Sequence, residues 1–541
     1  MRTPEAMANT IKSNKAIFLI TAFVVAAHIS YIPNGFTWLD HNDIEQKRAV
    51  LPIGQVYKAF ITPFGETSFY RPMVTIANSI DNRLYGHWAP GYHLTNVLLH
   101  LGVVILAPVF LSVFFDLTAR QKFWAMLIVG LHPASILVVG SIIQRQELLV
   151  TIFIMLTLIF YKRAREKGRW RDVYFTGVAM AGALLSKETA LVLIPVLIIM
   201  DKFFNENLGK INVRLWIIGA GTMAAYAALR MKVVPKIWGT GWGELSIGQH
   251  IATRLGLAGK WILLLVSPFK SNFSDAVRVM DWTNWYVWVV ILLLAGVGVI
   301  IWKAGVRSGM GKAILMILIL LAPGLNIIPV PRVGSPHYGY LPVLGLAGLA
   351  AVLLGKLKKG RRMAGIVLGI WLGIAAMTVF RAGFQFENDE TLFKAEVEKD
   401  RNFEEGYYYL GNYYLKSRNL AEARKYYERG LAEKKNYLYF SQKRNMLINL
   451  GGIKLETGDA RGAYEIYDAM QDSVGEDMKP YVVFNLALAA REMGDNQKVV
   501  EILGGRRWQR PEPYMLLNQA LESLGRINSV PLLQYLSPEP Q

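Results

Sequence analysis

Trp38-Leu39-Asp40-His41-Asn42-Asp43-Ile44-Glu45 sets three carboxylates and an imidazole just beyond the first strongly apolar run of the chain. Ionised groups are costly to hold beside hydrocarbon, so acids gathered at a bilayer edge ask for a chemical reason. Taken alone, the stretch is also an ordinary solvated loop. What the rest of the sequence places beside it decides between the two.

The surrounding composition is that of an integral membrane protein. At 541 residues the chain exceeds one ordinary core, and 53% hydrophobic content is high for a water-soluble fold. Lys and Arg number 59 against 40 acids, a net +19. The basic residues gather in short runs between apolar segments, a mark of membrane topology rather than of nucleic-acid binding. With no cysteine, disulfides, thiolate metal sites and thiol nucleophiles are excluded. The first apolar run ends at Tyr31 without a small-residue cleavage site and reads as an uncleaved first membrane helix.

Segments of bilayer-spanning length fall near 15–32, 92–115, 122–143, 147–162, 172–186, 188–203, 212–230, 284–302, 312–331, 338–355 and 363–380, about eleven spans. Basic runs at Arg2, Lys12 and Lys15, at Arg120 and Lys122, from Lys162 to Arg171, at Lys303, Arg307 and Lys312, and from Lys356 to Arg362 fix the cytoplasmic side. This works if Trp261–Val266, short and preceded by Lys260, lies in the outer interface or re-enters instead of spanning. The N-terminus is then inside and everything after Arg381 outside. The Asp40 loop, the turn with Arg145 and Glu147, the Ser186-Lys187-Glu188 turn and the segment from Asn326 to Tyr340 all meet on the outer side.

The first outer loop, 33–90, carries near-helical apolar spacing from Ile44 to Phe60, which suggests a helix on the membrane surface; a lid or a lipid-entry ramp fits the same pattern. His93, Asn96 and His100 follow at helical spacing, either as an inward polar stripe or as helix–helix hydrogen bonds. Beyond Arg381 the chain becomes charged and tyrosine-rich. Leu410-Gly411, Leu450-Gly451 and Leu486-Ala487 precede turns at Asn419, Asp459 and Asp495, with Ala423 and Tyr427, Ala463 and Tyr467, and Val499 and Leu503 beyond them. That pattern predicts three tetratricopeptide helical pairs and a capping element at Tyr514–Ser523, a solenoid with a concave groove suited to a peptide. The expected fold is all-α: a transmembrane module over 1–383, then an extracytoplasmic repeat domain over 384–541.

Several separated motifs complete the reading: Phe36-Thr37-Trp38-Leu39-Asp40, Tyr70-Arg71-Pro72, Gly91-Tyr92-His93 with Asn96 to His100, His132-Pro133 followed by Arg145 and Glu147, Ser186-Lys187-Glu188, and Asn326-Ile327-Ile328-Pro329 leading to Tyr340-Leu341-Pro342. In this order they resemble the lipid-dependent glycosyltransferases of the GT-C superfamily, most of all the transmembrane and tetratricopeptide-repeat O-mannosyltransferases and their bacterial relatives. Two departures stand out. The family usually has paired acids where this chain has Leu39-Asp40, so Asp40 carries the position unless Asp43 substitutes. An acid-Arg pair of the family corresponds to Pro336 and His337, which shifts the phosphate role of that arginine to Arg332 or to His337 itself.

The resemblance implies inverting transfer of a sugar, a mannose-like hexose, from a polyprenyl-phosphate carrier to an acceptor hydroxyl, on a protein recruited by the repeats. Such chemistry needs a base for the hydroxyl proton and positive charge for the departing phosphate. Asp40 is the expected base, with Asp43 as back-up or orienting acid. Arg71, Arg145, Lys187, Arg332 and His337 are the expected phosphate binders, guanidinium forks holding two oxygens at once; Glu147 and His93 support them. Each has a plainer reading: Arg71 and Arg332 as headgroup contacts, Arg145 with Glu147 as an internal ion pair, Lys187-Glu188 as a turn. A lone His41 among scattered acids is not a ligand set, so no metal is expected, a divalent ion there being the alternative reading. No other cofactor is expected, nor any nucleic-acid partner. The setting fits a bacterial inner membrane, with the endoplasmic reticulum as the alternative. Competing functions are the same transfer to a lipid or glycan acceptor, and a membrane-anchored repeat scaffold; a transporter would need matching interrupted helices that the sequence lacks.

Overall fold

The computed structural model describes residues 4–65, 67–204, 213–234, 245–269, 273–327, 332–357, 359–432 and 436–526, the side chains of 4–14, 203 and 204 excepted. Arg2, Lys358 and the Ile328-Pro329 part of the last motif lie outside them, as does the side chain of Lys12. The chain forms two compact units, Met1–Asn402 with Lys435–Phe440, and Phe403–Lys434 with Ser441–Gln541. The division therefore falls beyond residue 383, and a short later segment counts with the first unit.

The first unit is a helical bundle. Among the described residues, five helices are long and apolar enough to cross a membrane: Ala89–Leu111, Ile142–Lys167, Trp285–Ala304, Pro336–Lys356 and Arg361–Glu387. Lys15–Tyr31 and Gly309–Leu325 are shorter apolar helices. The apolar stretch within Ile142–Lys167 is 78% buried, whereas those of Trp285–Ala304 and Arg361–Glu387 are 11% and 17% buried. Apolar faces left that bare are at rest only against lipid. The core helix Arg145–Lys167 packs on Trp170–Leu184 and Ala89–Leu111, and Ala119–Leu131 packs on Val343–Lys356 and Ala89–Leu111.

Four stretches depart from the sequence reading. Residues 122–143 are not one helix: Ala119–Leu131 stops at His132, extended at ψ 135, and the chain resumes at Ser135–Gly140. Pro133 forces this, because its ring disfavours helical backbone in the residue before it. Residues 188–203 divide into a 3-10 turn Glu188–Val192, a short helix Leu193–Ile199 and a π turn Met200–Phe204. Ile44–Phe60 is not a continuous helix but a π turn His41–Glu45 and a 3-10 helix Ile53–Phe60, from which Ile53 and Tyr57 are exposed. Pro52, extended at ψ 138, separates them.

The stretch around Trp261 is a full helix, Ile247–Val266, begun by a Ser246 capping box. It ends part-way down its neighbour: the carbonyl of Val266 accepts from Trp371 Nε1 at 2.9 Å, near the middle of helix Arg361–Gly383. The chain then turns back along the helix. Lys260 Nζ donates to the carbonyl of Ser274 at 3.1 Å, and Met280 N–H to Thr253 Oγ1 at 2.9 Å. Helix and return segment thus lie side by side, Ser274 beside Lys260 and Met280 beside Thr253.

The second unit is built of helical pairs: Glu404–Lys416 with Leu420–Leu431, Lys443–Glu456 with Ala460–Met470, and Lys479–Glu492 with Asn496–Leu503, then Glu512–Ser523. Asn419, Asp459 and Asp495 cap the second helix of each pair, accepting from Glu422, Gly462 and Lys498 N–H. Ala423 and Tyr427, Ala463 and Tyr467, and Val499 and Leu503 are fully buried at matching places. The region is repeat-like, and the regular elements among its described residues are helices; the Tyr437–Leu438 strand belongs to the first unit.

Candidate active site

Three connections of the bundle meet at one end. Arg145 opens helix Arg145–Lys167, and the antiparallel helix Trp170–Leu184 returns the chain to the same end, where Lys187 follows it. Glu147 Oε1 contacts Lys187 Nζ and lies 3.5 Å from His337 Nε2. His337 Nδ1 is 2.7 Å from Ser335 Oγ, and Lys187 Nζ is 5.1 Å from the centre of the Tyr338 ring. All three side chains are nearly sealed from solvent.

Arg71, just ahead of helix Pro72–Tyr85, reaches the same cluster. Its Nε and Nη2 donate to Glu188 Oε2 at 3.3 and 2.9 Å, its Nη1 to Gln146 Oε1 at 2.5 Å, and Phe69 lies 4.0 Å beneath its plane. Arg332 is held between two rings, Trp38 and Phe440, each 4.7 Å away. Phe440 arrives from the segment Lys435–Phe440: Tyr437–Leu438 pairs antiparallel with Val277–Arg278, and Phe440 N–H donates to Asp275 Oδ2 at 3.0 Å. Trp38 adopts a left-handed backbone, φ 58, uncommon for a bulky residue, while its N–H donates to Asp389 Oδ1 at 2.7 Å.

The two aspartates of the opening stretch meet different neighbours. Asp40 is fully buried. Its carboxylate accepts from Ile143 N–H at 3.0 Å and from Ile142 and Thr37 N–H at 3.4 Å, so it closes the turn Ile142–Gln144 that carries Arg145. Burial pushes its carboxyl up to about 7, against the pull of those N–H groups and His41. Asp43, 8% exposed, is raised by burial to about 6, with the fields of Arg48, Arg71 and Arg332 opposing. It is Asp43 that shares the cation cluster.

Arg145 and His93 stand apart from that cluster. Arg145 is fully buried, its Nη2 2.6 Å from Asp81 Oδ2 and its Nε donating to Asn96 Oδ1 at 3.2 Å. The ion pair read between Arg145 and Glu147 is therefore corrected: the partner is Asp81, on helix Pro72–Tyr85. Positions two apart on a helix do not face each other, which is why Glu147 turns away to Lys187. Lys187 and Glu188 likewise part, one to Glu147 and the other to Arg71. His93 Nε2 is 3.0 Å from the carbonyl of Gly35, Asn96 donates to Ser141 O at 3.0 Å, and His100 Nδ1 is 2.7 Å from Tyr340 OH, so this polar row holds helices and loop together. His41 contacts Glu45 and lies 3.2 Å from Asp389 Oδ2. Among the described residues no group of three or more His, Cys, Asp or Glu is arranged to hold a metal.

Sequence reasoning missed Asp81, Gln146, Tyr338 and Phe440. The motif Gln146 shares with Arg145 pointed at its neighbourhood. Asp81 and Phe440 meet their partners across long stretches of chain, and no local spacing announces such contacts.

A membrane-embedded helical bundle with acids and cations converging at one end, ahead of a repeat-like helical unit, is the class these features define. Residues 89–229, which hold His93, Arg145, Glu147 and Lys187, match the family described as dolichyl-phosphate-mannose-protein mannosyltransferase. Protein O-mannosyl-transferase TMTC3 of Homo sapiens is 21% identical over 468 residues, covering 76% of this chain and 51% of its own. Protein O-mannosyl-transferase TMTC4 of Homo sapiens is 23% identical over 431 residues, 66% of this chain and 57% of its own. Tmtc2 of Drosophila melanogaster is 28% identical over 188 residues, 32% and 20%. The chain thus spans about half the length of the TMTC3 and TMTC4 relatives. Among solved structures, the arabinofuranosyltransferase AftD from mycobacteria aligns with a TM-score of 0.37 at 13% identity, over 71% of this chain and 29% of its own. The chain is a membrane-associated, glycosyltransferase-like protein related to the protein O-mannosyl-transferases.

Proposed function

We propose that the chain is an integral membrane glycosyltransferase of the GT-C kind, moving a sugar from a polyprenyl phosphate to an acceptor hydroxyl with inversion. The observation that carries this is the convergence at one end of the bundle: Glu147 joins Lys187 and His337, while Arg71 and Arg332 act on Asp43. A departing lipid phosphate is stabilised by cations held ready for it, and Arg71, Lys187 and Arg332 are three such groups. Each already has an anionic neighbour, Glu188, Glu147 and Asp43 in turn. An arriving phosphate exchanges places with these carboxylates, which frees an acid to take the proton of the acceptor. Asp43 is the acid best placed to be that base. Asp40 sets the turn that positions Arg145, Gln146 and Glu147, and Asn96, which donates to Ser141 O and accepts from Arg145, braces the same turn from behind.

About eleven spans fit the chain once the helix Ile247–Val266 is taken out of the count, with the N-terminus cytoplasmic and the site extracytoplasmic, as in a bacterial inner membrane. The matched caps and buried pairs of the second unit support a tetratricopeptide solenoid whose groove receives a protein acceptor, and the relatives, named as O-mannosyl-transferases, support mannose as the sugar. The test is transfer from synthetic polyprenyl-phosphate mannose to an acceptor peptide library by the purified full chain. Asp43→Asn is expected to lower the rate by about 10²- to 10⁴-fold, the ordinary worth of a general base. Full activity in that variant would overturn the assignment of the base.

A further inference from the structure

Helix Val213–Val233 packs on Trp170–Leu184 and turns few side chains inward: Leu215 and Tyr226 are its buried residues. Tyr226, in the last turns of that helix, is 7% exposed, and its ring lies 6.1 Å from that of fully buried Tyr70. Tyr70 sends its hydroxyl to Phe60 O at 2.9 Å, so it is the ring that it offers to Tyr226. The next residue in the chain is Arg71, whose Nε and Nη2 both donate to one oxygen of Glu188, Oε2. The charges of Glu188, Arg230 and Arg71 all act on the Tyr226 phenol, which places it in the same neighbourhood.

Three oxygens there are buried with no hydrogen-bond partner: Glu188 Oε1, Thr189 Oγ1 next to it in the turn Glu188–Val192, and the Tyr226 hydroxyl. Buried polar atoms are nearly always paired, because each orphan costs its desolvation, so three in one neighbourhood mark a place for groups that arrive with a substrate. Their chemistry narrows what arrives. A carboxylate oxygen only accepts, so the partner of Glu188 Oε1 is a donor, which a phosphate is not. A metal ion would meet the charges of Arg71 and Arg230. Hydroxyl groups fit: they donate to Glu188 and take either role with Thr189 and Tyr226. With the rings of Tyr70 and Tyr226 as an apolar wall, the set suits a neutral polyol whose C–H face lies against aromatic carbon.

We propose, resting on the transferase reading above, that Glu188 Oε1, Thr189 and Tyr226 bind hydroxyl groups of the donor sugar while its phosphate lies against Arg71. Sugar and phosphate are bonded to each other, so neighbouring side chains must meet them, as Glu188 and Arg71 are. The full chain, purified in detergent, is titrated with polyprenyl-phosphate mannose and with polyprenyl methyl phosphate, a diester of equal charge that has no hydroxyls, and retained carrier is counted by native mass spectrometry. The mannose carrier is expected to be retained about tenfold better, the worth of one to two net hydrogen bonds. Tyr226→Phe and Thr189→Val each delete one hydroxyl and should each cut that preference about threefold, leaving retention of the methyl diester unchanged. Arg332→Gln should instead weaken both carriers alike, since it acts on the phosphate. Equal retention of the two carriers by the native chain, or a preference untouched by both Tyr226→Phe and Thr189→Val, would overturn the sugar site and leave the phosphate site standing. Failure of the native chain to retain either carrier would overturn the transferase reading and the sugar site with it.

Discussion

Asp40 and Asp43 stand three residues apart, and their surroundings assign them different work. The sequence marks both as acids at a membrane edge, but not which one faces the cations, because that depends on a turn in which successive side chains point in different directions. Asp40 is buried against three backbone N–H groups, which supports the structural role proposed for it in place of the expected base, and the fields of Arg48, Arg71 and Arg332 reach Asp43. The carboxyls of Asp40, Asp43 and Asp81 are all raised by burial above the ordinary carboxylate range. Between about pH 4 and pH 7 these carboxyls hold protons in the folded chain that they have released in the unfolded one, so their own contribution to stability falls as pH rises through that window, while buried His337, whose pKa burial lowers, contributes in the opposite sense. Thermal unfolding in detergent of the chain and of Asp40→Asn, from about pH 4.5 to about pH 8, is the check; an identical pH dependence in the two would contradict the burial of that carboxyl. The Arg145–Asp81 pair is the second test at this scale. Asp81→Ala strands a fully buried guanidinium and should cost about 3–5 kcal/mol, read by unfolding.

Among the elements, amphipathic spacing and caps were legible and breaks were only partly so. Asn419, Asp459 and Asp495 were visible as turns because short polar side chains satisfy the first N–H groups of a helix, and all three do so. The stop at His132 was written in Pro133, yet an apolar run on both sides of it reads as one span when length alone is counted. The run Trp261–Val266 was legible as an anomaly, too short for a span and preceded by Lys260, but the full helix Ile247–Val266 and its end against Trp371, far away in sequence, were not. In the repeat-like unit, Gly411 and Gly451 lie against the rings of Tyr427 and Tyr467, where any Cβ would collide. Gly451→Val should cost about 1–3 kcal/mol by overpacking, whereas the same change at exposed Gly458 would act through its φ of 84 instead of through packing. Urea unfolding of the full chain, followed by the second unit's tyrosine fluorescence, measures the first.

For the molecule as a whole, the order of apolar segments and basic runs anticipated a membrane bundle followed by helical repeats, since both are written in local composition. The composition of the site was half legible for the same reason. Residues in motifs were found, and partners supplied by tertiary contact were not. Phe440 is the clearest case, reaching Arg332 from a strand that lies between repeat-like helices in sequence but belongs to the first unit. Truncation after residue 402 therefore removes a wall of the candidate site, and loss of activity on such truncation does not by itself reveal a protein acceptor. Phe440→Ala in the full chain separates the two effects: weaker retention of polyprenyl phosphate with unchanged acceptor binding is expected. The most direct measurement is a cryo-EM structure of the full chain in nanodiscs with a non-hydrolysable polyprenyl-phosphate sugar. The account predicts the phosphate against Arg71, Lys187 and Arg332 with the Asp43 carboxylate facing the anomeric carbon; a phosphate bound away from those three cations, with Asp43 turned from it, would contradict it.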